Sequence, residues 1–223
     1  MPEYPGVYVE EVSTRTREIE GVPTETAAFV GFAAEGPADD PIEIGSLLDY
    51  QTHFGKVSAA NPLSSAVEMF FGNGGRKAFV VKASSGPRSR RGGAELIGDE
   101  KRQTGLHALD RMKLHIGVLL LPDAAYLSET DAADAINRAV RFAEARRMFL
   151  IADIPEGAAG KGAAAAMQWA ERVARNRNLA LYYPWLVAAD GKTKAKNVRP
   201  PGAVAAGIYA RLDNARGVWK APA

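Results

Sequence analysis

Ile116-Gly-Val118-Leu-Leu-Leu121, Met148-Phe-Leu-Ile151 and Leu179-Ala-Leu-Tyr-Tyr183 are three apolar runs whose starts lie 32 and 31 residues apart. A run that is apolar at every position offers no face to solvent, which is the signature of a parallel strand covered on both sides. A repeat of about thirty residues is the length of a strand-helix-strand crossover. The segments between the runs carry the matching helical period. Ser128-Glu-Thr-Asp131 opens one helix with a variant capping box, and Ala132, Ala135, Ile136, Ala139, Val140 and Ala143 line a single face. Arg146 and Arg147 fall in its predicted last turn, where cations suit the helix dipole. Ala166, Trp169, Ala170 and Val173 form the sheet-facing stripe of the next helix, which Asn176 to Asn178 end. These readings predict an α/β fold, a three-layer αβα sandwich with a largely parallel sheet.

Towards the N-terminus the same logic adds more elements. Thr26-Ala-Ala-Phe29-Val30-Gly31 and Ala78-Phe79-Val80-Val81 read as buried strands. Ser46 caps a predicted helix through Phe54 that Gly55 ends, its apolar face formed by Leu47, Leu48, Tyr50 and Phe54. Pro62 starts a second helix over Leu63 to Phe71, and Gly72-Asn73-Gly74-Gly75 stops it. From Ala83 to Gly98 the composition, including Arg88-Ser-Arg-Arg91, predicts a polar, basic surface loop. The expected organisation is an extended arm over residues 1–24 and one α/β domain over 25–223, with the loop at 83–98.

Composition narrows the function classes. The chain has 223 residues, 47% hydrophobic and 24% charged types, and 28 basic against 26 acidic residues. A net charge of +2 argues against nucleic acid as the main partner. Without cysteine there are no disulfides or thiolate metal sites. No basic-then-apolar leader opens the sequence, and the longest apolar stretch, Ile116 to Leu121, is far too short to span a bilayer, so an intracellular origin with no membrane partner is expected.

Chemistry is sparse. Asp123 and Asp153 each follow a predicted parallel strand, at the carboxyl ends where open α/β sheets bind ligands. Two acids there suit Mg²⁺ or acid-base work on a phosphorylated substrate. With no third acid or nucleophile nearby in sequence they better suit turns and helix caps, since Pro122-Asp123 and Asp153-Ile-Pro155 are turn-starting stretches. Gly157-Ala-Ala-Gly160-Lys-Gly162 and Asp190-Gly-Lys192-Thr193 lack phosphate-loop spacing, and Gly72-Asn-Gly74-Gly75 precedes a strand where a dinucleotide fingerprint must follow one. His53, His107 and His115 are isolated, and Tyr182, Tyr183, Trp185, Tyr209 and Trp219 read as aromatics that pack and cap the domain. The expectation is a protein without catalytic residues, metal or cofactor.

The first dozen residues point elsewhere. Tyr4, Pro5, Gly6, Val7, Tyr8, Val9, Glu10, Glu11 and Val12 form a β-prone ribbon with no turn to fold it back as a hairpin. Either it docks on its own domain or frays, or it is given as a strand to a neighbouring chain.

In order along the chain, Tyr4 to Val12, then Glu20-Gly-Val-Pro-Thr24 running into Ala27 to Gly31 and Gly36-Pro37, then Phe70-Phe-Gly-Asn-Gly-Gly-Arg-Lys-Ala-Phe-Val-Val81, then Pro200-Pro-Gly-Ala-Val-Ala-Ala-Gly-Ile-Tyr-Ala-Arg211 and Arg216-Gly-Val-Trp-Lys-Ala-Pro222 resemble the contractile tail sheath family of bacteriophages, pyocins and related injection systems. The resemblance implies a structural subunit that stacks as hexameric rings in a helix around an inner tail tube. It also implies terminal arms exchanged as strands between copies, and baseplate and tail terminator proteins as further partners. The place implied is a virion tail or injection particle assembled in the bacterial cytoplasm. Contraction would then release energy held in subunit contacts. The family continues past the Trp-Lys-Ala-Pro segment into a C-terminal domain, whereas this chain ends at Ala223, which reads as a fragment or as a reduced relative. Many members also insert an outer domain after the strand ending at Val81, where this chain has only the basic loop.

Overall fold

A computed structural model describes residues 26–85, 91–189 and 196–220. The arm, including Tyr4 to Val12, and the basic stretch 86–90 lie outside the described residues. Five parallel strands and one antiparallel strand make a single sheet in the order β2-β3-β1-β4-β5-β6. These are β1 (Ala27–Gly31), β2 (Ile42–Ile44), β3 (Ala78–Lys82), β4 (Val118–Leu120), β5 (Phe149–Asp153) and β6 (Leu179–Tyr182). Successive side chains of a strand face opposite ways, so one set of residues feeds two cores. Ala28, Val30, Phe79, Val81, Leu119 and Leu150 face one layer; Ala27, Phe29, Ala78, Val80, Leu120 and Ile151 face the other. The expected three-layer αβα sandwich is the observed one.

The first layer holds α3 (Gly93–Ile97), a 3-10 turn over Gly105–Arg111, α4 (Glu129–Ala145) and α6 (Ala163–Ala170), with the single turn α5 (Glu156–Ala159) between β5 and α6. The second holds α1 (Leu47–Phe54), α2 (Pro62–Gly72) and α7 (Gly202–Arg216), the last packed along α2. Local chemistry sets the boundaries. Ser46 accepts from the Asp49 amide and Ser128 from the Asp131 amide, while Asn61 accepts from Ser64 ahead of Pro62 at the first position. Gly55 ends α1 with φ 86°, a conformation that costs glycine nothing.

Several expectations needed correction. The predicted loop over 83–98 contains α3, whose Leu96 and Ile97 are buried; Gly and Arg dominate its composition, but two apolar side chains that join the core on one face of the sheet outweigh them. Arg146 is the C-cap of α4 and Arg147 lies past it at φ 58°, so neither sits in the last turn. The Arg146 guanidinium instead donates to the Leu109 and Asp110 carbonyls at 3.1 and 3.3 Å. Among the elements without a sequence forecast are also β2, the hairpin of β7 (Leu186–Ala189) with β8 (Lys196–Arg199), and α7.

Candidate functional site

The sheet runs outward in both directions from the neighbours β1 and β4, so their carboxyl ends form the topological switch point at which ligands of open α/β sheets bind. Asp123 stands there, one turn past β4 in a 3-10 turn begun by Pro122. Its carboxylate fills the crevice: Oδ2 accepts the Phe32 amide, just beyond β1, at 3.0 Å. Gly31 makes this approach possible, because a Cβ at that position would collide with the same carboxylate oxygen. Burial pushes the Asp123 carboxyl up to about 7 against the pull of the Phe32 amide and of the Arg91 charge. Arg91 also lies over the Phe32 ring, 5.8 Å from its centroid.

Asp153, the last residue of β5, does a similar job for a different element. Its Oδ1 accepts the amide of Gly202, the first residue of α7, at 2.7 Å. It therefore caps α7 from 49 positions away in sequence, and a Cβ on Gly202 would lie 2.6 Å from its other oxygen. A carboxylate at a helix N-terminus suits the dipole, yet burial again dominates and raises this carboxyl to about 7.

The two aspartates are thus two stitches, each holding a backbone amide of another segment, as the turn-and-cap reading of their sequence context expects. Among the described residues, no group of three or more His, Cys, Asp or Glu is placed to hold a metal ion. Beside Asp153 lies a cavity of about 10 Å³ lined by Ser65, Tyr126, Pro200 and the ends of β4 and β5. That is room for one water, against the several hundred Å³ of a small-molecule site. Ser65 Oγ is buried there without a hydrogen-bond partner among the described residues, which suits a single bridging water.

The remaining candidates fall into place around this. His107 pairs with Asp110 at 3.2 Å beside Phe142, and His53 sits edge-on to Phe54. Trp185 donates to the Ile154 carbonyl and meets Tyr126 edge-on, and Tyr209 packs on Phe149, so these aromatics do cap the domain. Trp219 does not: it is 84% exposed, and Tyr183 is exposed as well. Asp39 escaped the sequence reading. At φ 55° it accepts the Gly105 amide at 2.7 Å and both the amide and hydroxyl of Ser84, pinning three loops together. Its signal was the turn-forming Asp39-Asp40-Pro41.

The described residues also present exposed apolar surface. Leu48, Met167, Val187, Val198, Val218 and Trp219 are apolar and exposed. Val187 pairs directly with Val198 across the β7–β8 hairpin, giving an exposed apolar ribbon. No helix among the described residues is long and apolar enough to cross a membrane.

No family model and no curated protein matches the chain. Solved structures do. The contracted helical sheath of the anti-feeding prophage is similar over 100% of this chain and 56% of its own, with a TM-score of 0.66 and 26% identity. The contracted sheath complex of an extracellular contractile injection system is similar over 100% and 54%, with a TM-score of 0.64 and 25% identity. A chain of the anti-feeding prophage baseplate matches over 100% and 56%, at 0.61 and 26%. This chain spans a little over half the length of the proteins that it matches.

Proposed function

We propose that this chain is a structural subunit, or the core part of one, of a contractile sheath in a phage tail or a tail-like injection particle. The observation that carries the reading is similarity along the whole chain to sheath proteins held in the contracted state. The switch-point crevice filled by its own Asp123 supports a building block over a catalyst.

In this reading copies stack as hexameric rings around an inner tube, and contraction drives the tube through a target envelope. The baseplate, a tube protein and a terminator are the remaining partners, and assembly takes place in the host cytoplasm. Copies are linked by the Tyr4 to Val12 ribbon, which completes its hydrogen bonds on a neighbour's sheet edge. No nucleotide is needed, because the work comes from subunit contacts formed on contraction.

Deletion of residues 1–12 tests the proposal. The shortened chain should keep its far-UV circular dichroism and its melting temperature, yet lose most of its self-association in sedimentation velocity and its polymers in negative-stain microscopy. Polymers undiminished by the deletion would remove the arm from the mechanism.

A further inference from the structure

The two ends of the six-stranded sheet differ in charge and shape. At the β2 end, Glu35, Asp40, Glu43 and Asp49 are all exposed, and positions 35 to 55 contain no Lys or Arg. Glu43 meets Lys77 at 2.8 Å and Asp40 meets Arg111 at 4.0 Å, exposed pairs of the kind that exchange partners at little cost. Leu48 projects from α1 on the same end and is 70% exposed.

At the β6 end the pattern inverts. Every residue of β6 keeps some exposure, whereas β1 and β4 are buried throughout, and no described strand pairs with its outer edge. Between α6 and β6 runs a groove of about 470 Å³ lined by Met167, Ala170, Val173, Leu179 and Leu181, with Arg175 and one acid, Glu171, beside them, so that Arg175 and Arg177 leave this end with a basic excess. Met167 is 73% exposed. Arg175 and Arg177 are exposed and have no ion-pair partner among the described residues.

We infer that these ends meet: the α1–β2 end of one copy docks on the α6–β6 groove of a second copy, Leu48 entering the groove and the acidic end facing Arg175 and Arg177. The inference rests on the sheath reading and deepens it by naming a lateral contact. Charge selects the occupant, because either end set against its own twin would face like charge. The geometry follows too. Two different surfaces on opposite ends make a head-to-tail contact, which closes into rings or continues as a helix, whereas a self-complementary patch stops at a dimer.

The natural absence of cysteine makes the test clean. Leu48→Cys and Met167→Cys, placed in one full-length chain, should give a ladder of covalent oligomers with a short bismaleimide. The two single variants should give heterodimers when mixed and nothing when alone. Homodimers from either single variant, or no product from the double variant, would overturn the contact. Arg175→Glu with Arg177→Glu should weaken association by about tenfold or more in sedimentation velocity, and Glu43→Lys with Asp49→Lys on the opposite end should restore it. A chain that associates but shows neither ladder nor charge effect loses this contact while the sheath reading stands. A chain monomeric at every concentration loses both.

Discussion

Asp123 and Asp153 give up solvation for one backbone amide each, and the cost should be visible in pH. Each carboxyl is raised from the ordinary 3.8 to about 7 in the fold, mainly by burial. Below pH 4 folded and unfolded chains both hold these protons, so the contribution is then most favourable. As pH rises towards 7 the unfolded chain has released protons that the folded one still binds, and stability falls. One pKa unit is about 1.4 kcal/mol, so each group removes on the order of a few kcal/mol over this interval. Asp123→Asn and Asp153→Asn keep an oxygen for the amide but carry no proton to lose. Melting temperatures between pH 4 and 8 should therefore fall less steeply in either variant than in the parent, and an unchanged slope would refute the burial account. The positions of both residues past predicted strands were legible from spacing alone. Their partners were not, because Phe32 and Gly202 lie 91 and 49 residues away and nothing local points to them.

Elements with a strong period and a cap were the most legible. All six residues assigned to the inner face of α4 are buried, and Ser128 caps it as read. Ser128→Ala should cost about 1 kcal/mol, which for a chain of this size is roughly 2–4 °C in melting temperature; a shift within error would mean that the cap is redundant. Trp169 ties α6 to the same helix start, its indole donating to the Glu129 carbonyl at 2.8 Å. The elements that were missed lack a period. β2 has three residues, and α3 has five behind a Gly-rich approach. The strands of the β7–β8 hairpin are four residues each, and one of its outward positions is exposed Val187. In α7 small residues, Ala203, Ala206, Gly207 and Ala210, make the buried stripe, so close approach to α2 replaces the usual apolar contrast. A Cβ at Gly207 would lie 2.6 Å from the Phe70 carbonyl oxygen.

At the scale of the whole molecule, the three apolar runs sufficed to forecast the layered architecture, since parallel strands must be covered twice. Strand order depends on which face each crossover takes, and no single segment encodes that. The order nevertheless has a mechanical result. β1 is the first described strand and lies inside the sheet, bonded to β3 along five residues and to β4 along three. A force applied along the axis of β1 would have to shear both flanking ladders together, where an edge strand pulled in the same direction would have only one to shear. A load on β1 would thus be shared by two neighbours within the sheet, β3 on one side and β4 on the other.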